Sequence, residues 1–85
     1  MNVLIPSALQ SYTGAPQVAA EAGTVGQLFD QLEQRYPGIR FRVIDEQDIF
    51  RRHMRCFVNG VQTFDLDRPL APEDDIVILQ ALSGG

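Results

Sequence analysis

The stretch Asp74-Asp75-Ile76-Val77-Ile78-Leu79-Gln80-Ala81-Leu82-Ser83-Gly84-Gly85 decides the fold. Four consecutive aliphatic residues, Ile76 to Leu79, follow two acids and predict a β-strand. The run lacks polar alternation, so the strand is expected at the centre of a sheet, where neither face is left bare. Behind it stand small residues and two glycines. Glycines alone would mean a frayed end. Here the strand stops only a few residues upstream, which makes the tail a short extended arm on a rigid base. Residues without Cβ atoms can thread a narrow channel with their amides open to a partner. The functional group at the tip is the α-carboxylate of Gly85.

Working outward, Met54-Arg55-Cys56-Phe57-Val58 is a second strand. Asn59-Gly60 closes it, a dipeptide that favours a two-residue hairpin turn, and Val61-Gln62-Thr63-Phe64 is the short partner. Leu66 to Asp75 reads as a loop or tight corner, since Pro69 and Pro72 exclude a central strand. Thr24 is an N-cap, and Val25, Leu28, Phe29, Leu32 and Tyr36 then fall on one helical face until Pro37-Gly38 stops the helix. At the start, Asn2-Val3-Leu4-Ile5-Pro6 is a strand, Gly14-Ala15-Pro16 a turn, and Gln17-Val18-Ala19-Ala20 a short return strand. Residues 39–50 are apolar at Ile39, Phe41, Val43 and Ile44, but Asp45-Glu46-Gln47-Asp48 breaks the pattern. We expect a loop there, with a short strand or a turn of helix. One amphipathic helix cannot close a core alone and must lie on a sheet. The fold class is therefore α+β, a mixed four- to five-stranded sheet with one main helix on one face and the other face open.

Composition bounds the function. The chain has 85 residues, 45% hydrophobic and 21% charged, with a net charge of −4. It is expected to be one domain, residues 1–85, with a tail at 81–85; at this size only ~60–65% of the unfolded surface is buried, so stability is modest. Cys56 is the single cysteine and His53 the single histidine, which excludes an internal disulfide, a CxxC redox pair, a cysteine-ligated iron–sulfur cluster and a zinc site of His/Cys type. The sequence has no apolar run near the ~20 residues a bilayer span needs and no signal-peptide pattern, so the expected location is cytoplasmic. Seven cations against 11 acids argue against nucleic acid. All seven are arginine, and six of them fall between residues 35 and 55 against three acids. That segment can face an acidic protein surface, and the run Glu73-Asp74-Asp75 a basic one.

The segments Cys56-Phe57-Val58-Asn59-Gly60-Val61, Asp67-Arg68-Pro69-Leu70, Asp74 to Leu79 and Ser83-Gly84-Gly85 together resemble the MoaD/ThiS family of ubiquitin-like sulfur carriers. The resemblance covers essentially the whole chain and is closest in look to the CysO-like branch. It implies a β-grasp fold. Two positions depart from the family pattern. Glu73 stands at the corner where the family has glycine, which predicts a different or costlier backbone there, and Gln80 stands where many members have proline.

The resemblance also implies a chemistry. An E1-like adenylyltransferase would spend ATP to activate the Gly85 carboxylate, and a sulfur donor would convert it to a thiocarboxylate. A downstream sulfur-accepting enzyme would then use that sulfur in cysteine or other small-molecule or cofactor biosynthesis. The chain itself would bind no cofactor or metal and would be a protein cosubstrate, monomeric when free, with no nucleic-acid or membrane partner. Gly85 carries the reacting carbon, with Gly84, Ser83 and Leu82 as the tail. The ubiquitin-like resemblance turns Phe57, Val77 and Leu79 to the open face, with Leu4 beside them, Leu82 as a further anchor and Arg55 in reach of the partner. The competing expectation is that residues 39–50 fold back over this patch. Cys56 is expected as a buried small hydrophobe rather than a nucleophile. His53, beside Arg51, Arg52 and Arg55, is expected in a surface basic cluster. Three other roles fit the same sequence: the small subunit of molybdopterin synthase, a modifier forming isopeptide bonds, and a plain interaction module.

Overall fold

The computed structural model describes residues 1–81. Five strands form one sheet in the order β2-β1-β5-β3-β4: β1 is Asn2–Leu4, β2 Gln17–Ala19, β3 Met54–Val58, β4 Val61–Thr63 and β5 Asp75–Gln80. β5 is central, parallel to β1 and antiparallel to β3. The two hairpins, β1–β2 and β3–β4, are antiparallel. Asn59 and Gly60 both take positive φ, 51° and 82°, as a two-residue turn between twisted strands requires.

The main helix, α2 (Val25–Arg35), crosses one face. Its buried Val25, Leu28, Phe29 and Leu32 meet Val3, Cys56, Val58, Ile76 and Ile78 from the sheet in one core. The first-turn donors of α2 are satisfied from the corner, with Val25 N–H donating to Arg68 O (3.0 Å) and Gly26 N–H to Leu66 O (2.7 Å). A Cβ on Gly26 would stand 3.1 Å from that same Leu66 oxygen, so a side chain here would push the corner off the helix.

Three expectations need refinement. The β1–β2 connection is more than a turn, since Ser7–Leu9 forms a 3-10 turn and Gln10–Thr13 a short helix, α1. Residues 39–50 hold helix α3 (Ile39–Val43), after which Ile44 and Phe50 bridge around a tight turn. This segment joins the core beside α2, with the Phe50 ring edge-on to Phe29 at 5.8 Å, and leaves the opposite sheet face uncovered. The corner before β5 is built without backbone strain at Glu73. Among the described residues only Asp48 and Asn59 are non-glycine with positive φ, and the turn is closed by Asp74 N–H to Ala71 O (3.0 Å). The costlier alternative at Glu73 is thereby excluded. No helix among the described residues is long and apolar enough to cross a membrane.

Candidate functional site

Alternation along β5 sets the site. Ile76 and Ile78 point into the core at 0% and 1% exposure, while Val77 is half-buried and Leu79 is 45% exposed on the other face. The strand is central, yet only one of its faces is covered. The register puts Leu4 and Phe57 on either side of Val77, and Arg55 beside Leu79. Leu4 is 43% exposed and Phe57 half-buried. Gln17 next to Leu4 and Gln62 next to Phe57 bound this strip at the sheet edges. Phe57, Val77, Leu79, Leu4 and Arg55 therefore share one face, with apolar side chains in the middle and polar ones outside.

β5 ends at the margin of this face, and Ala81 follows it. Ala81 is still held, its N–H donating to His53 O at 2.6 Å, so the body extends one residue into the expected tail. A groove of ≈ 480 Å³ opens at this point, walled by Pro6, Ser7, Ala8, His53, Leu79 and Gln80. The expected site residues Leu82, Ser83, Gly84 and Gly85 lie outside the described residues.

Sequence reasoning missed Pro6, Ser7 and Ala8. They reach the tail root because β1 runs parallel to β5, so the chain that follows β1 emerges beside the end of β5. Only Pro6, at the close of the first strand, hinted at a change of direction there.

The basic cluster is divided by the fold. Arg51 turns away, donating from Nε to Phe41 O with its guanidinium 4.3 Å above the Phe41 ring. Arg55 curls back along its strand, and its Nη1 donates to Arg52 O (2.8 Å) and Met54 O (3.1 Å). Arg52 and His53 are exposed in the turn before β3. Among the described residues the ion pairs are those of Arg40, with Asp30 at 3.4 Å and Asp48 at 3.0 Å. The acidic run sits at the far end of β5, and Asp74 is engaged structurally, accepting from Ala71 N–H (2.8 Å) and Asn59 Nδ2 (2.9 Å). The Ala71 hydrogen bond first, then the Asn59 one, holds its carboxyl below the usual range.

Cys56 faces the core, and burial pushes its thiol up to about 11, a shift that the Arg68 charge only reduces. Such a thiol is protonated at neutral pH and is no nucleophile. Among the described residues, no three His, Cys, Asp or Glu side chains gather to hold a metal ion.

A helix packed across one face of a five-stranded mixed sheet of this order is the β-grasp arrangement of ubiquitin-like proteins. The ThiS family model matches residues 3–85, and the chain belongs to that family. The sulfur carrier protein CysO of Mycobacterium tuberculosis is 31% identical over 91 aligned residues, covering 100% of this chain and 98% of the relative. CysO in the crystal structure of an Amycolatopsis orientalis BexX/CysO complex superposes with a TM-score of 0.89 at 31% identity, over 99% of this chain and 98% of the other. The crystal structure of Mycobacterium tuberculosis CysO gives 0.88 at 30% identity, over 95% and 98%. SAMP1 from Haloferax volcanii shares the fold at a TM-score of 0.78 and 24% identity, over 100% and 98%.

Proposed function

We propose that this protein is a sulfur carrier that bears sulfur as a thiocarboxylate on Gly85. Full-length likeness to the CysO proteins supports the carrier role and favours the branch that serves cysteine or related small-molecule biosynthesis over a molybdopterin synthase subunit. The observation that supports this reading is the anchored end of the body, after which the arm follows in the sequence. The central strand is locked by Ile76 and Ile78, and Ala81 is pinned to His53, so the Leu82-Ser83-Gly84-Gly85 arm starts from a fixed point beside an apolar strip.

A carboxylate is a poor electrophile because oxide is a poor leaving group. An E1-like adenylyltransferase, seated on Leu4, Phe57, Val77 and Leu79 with Arg55 at the margin, would draw in the arm and convert the carboxylate into an acyl adenylate with ATP. A sulfur nucleophile then displaces AMP. The resulting sulfur is a soft nucleophile on a protein handle, passed to a downstream accepting enzyme instead of being released as sulfide. The chain acts as a cosubstrate in the cytoplasm, with the ATP bound by its partner.

The test is intact-protein mass after incubation with MgATP, an E1-like adenylyltransferase and a sulfide source, beside a variant lacking Gly85. The expected result is a gain equal to replacing one oxygen by sulfur, absent from the deletion. No gain across a panel of adenylyltransferases active on other carriers would overturn the proposal.

A further inference from the structure

Asparagine before glycine is the dipeptide most prone to lose its side-chain ammonia, because glycine has no Cβ to keep its nitrogen away from the carboxamide carbon. Asn59-Gly60 is the chain's only such pair. Both residues are exposed to water, and a Cβ on Gly60 would meet nothing within 4 Å, so no neighbour crowds the glycine. What the fold withholds is freedom of the carboxamide. Its Nδ2 donates to Asp74 Oδ1 (2.9 Å) and its Oδ1 accepts from Asp75 N–H (2.9 Å). The Asn59 N–H donates to Asp75 O (2.8 Å). Three hydrogen bonds thus tie one turn residue to the start of β5, and both polar atoms of its side chain are held on another segment.

We propose that Asn59 is a site of spontaneous deamidation, that its contact with Asp74 and Asp75 restrains the reaction, and that the reaction makes an opening of this contact irreversible. The inference is independent of the sulfur-carrier function.

When the start of β5 lifts from the turn, the carboxamide is free to rotate toward the next peptide. The Gly60 nitrogen gives up its proton to solvent, and its electron pair forms a bond to Asn59 Cγ. The Cγ–Nδ2 bond breaks, and the nitrogen leaves with that electron pair and a proton as ammonia. Water then opens the five-membered imide, its hydroxyl going to a carbonyl carbon and its hydrogen to the nitrogen. Cleavage at Cγ gives aspartate, and cleavage at the main-chain carbonyl gives isoaspartate.

Either product carries a carboxylate where Nδ2 used to donate. That carboxylate faces the Asp74 carboxylate with Asp75 next to it, and like charges so close repel. The bond to Asp74 cannot re-form. Isoaspartate also adds a methylene to the main chain of a two-residue turn whose φ values are 51° and 82°, which the hairpin cannot absorb without a change of geometry. The other asparagine, Asn2, precedes Val3, whose branched side chain obstructs the same ring closure. It serves as an internal reference that should stay intact.

The experiment compares wild type, Asp74→Ala, Asp74→Asn and Ile44→Val. The last trims a methyl group from the core beside α2 and weakens the whole fold without touching the contact. Each protein is held in mildly alkaline buffer and sampled over time, and the peptide holding residue 59 is weighed. Deamidation shows as replacement of NH2 by OH, and isoaspartate as a second chromatographic peak of the same mass. Asp74→Ala should react about tenfold faster than wild type, the factor that follows from losing a hydrogen bond to a charged group. Asp74→Asn keeps a carbonyl acceptor without the charge and should fall between them. It carries the comparison if circular dichroism shows that Asp74→Ala does not fold. Ile44→Val should stay close to wild type.

Equal acceleration in Ile44→Val and the Asp74 variants would overturn the inference, because global unfolding would then set the rate. Asp74 variants that fold and react no faster than wild type would overturn it too. Asn59→Asp, standing for the product, should have a lower urea midpoint than wild type at neutral pH. An equal midpoint would overturn the irreversibility, since the contact would then survive the reaction.

Discussion

Asn59 ties together the two turns on which the terminal strand depends. Its backbone helps form the tight turn after β3, its Nδ2 donates to Asp74 Oδ1 (2.9 Å), and its Oδ1 accepts from Asp75 N–H (2.9 Å). The second Asp74 oxygen is held by Ala71 N–H. These bonds favour the ionised carboxylate, so the folded pKa lies below that of a free aspartate. A group depressed in this way stabilises the fold fully above its unfolded value and loses that contribution as pH falls through the folded one. Asp74→Asn should therefore have a lower urea midpoint than wild type at pH 7, and the two curves should converge as pH drops below about 4. A gap that is constant with pH would show that the charge plays no part. The Asn59-Gly60 turn is legible in the sequence from the dipeptide alone. Its pairing with Asp74 is not, because the two residues are 15 apart and meet only once β3 and β5 have taken their register.

At the level of elements, the start of α2 shows how a local signal is reinforced by distant chain. Thr24 Oγ1 accepts from Gln27 N–H (3.2 Å), and Gln27 Oε1 accepts in turn from Gly23 N–H (2.9 Å). Thr24→Ala should cost about 1 kcal/mol, while Thr24→Ser should restore most of it, both read from urea denaturation. An unchanged midpoint in Thr24→Ala would mean that the corner carbonyls alone hold the helix start. This cap, the face of α2, the hairpin turn and β5 are all readable from sequence, since each carries its own period or turn chemistry. α1 and α3 are not. α1 has four residues and none buried, and α3 has five, too few to display a helical period. α3 exists through tertiary contacts, with Ile39 and Val43 in the core and the Glu33 carboxylate accepting from Gly38 N–H (2.8 Å) and Arg40 N–H (3.0 Å). The candidate site divides along the same line. Alternation in β3 and β5 displays Phe57, Val77 and Leu79, whereas Pro6 to Ala8 enter through a parallel pairing that no local pattern encodes.

For the molecule as a whole, one strand serves both core and site. Ile76 and Ile78 fix the register of β5, and the same register places Val77 and Leu79 outward. A slip of one residue would exchange the faces and is therefore opposed by the whole core. It follows that the open face can be changed without disturbing the fold. Leu79 is 45% exposed, so Leu79→Asp should shift stability by no more than about 0.5 kcal/mol. In adenylation assays the same substitution should raise KM by about tenfold, the loss of ~1.4 kcal/mol of docking, and leave kcat within a factor of about two. The split is the diagnostic quantity, because the substitution leaves the proposed reacting carboxylate untouched and changes only the proposed docking surface. A fall in kcat at unchanged KM would place Leu79 in the alignment of the arm and move the docking surface elsewhere on the molecule.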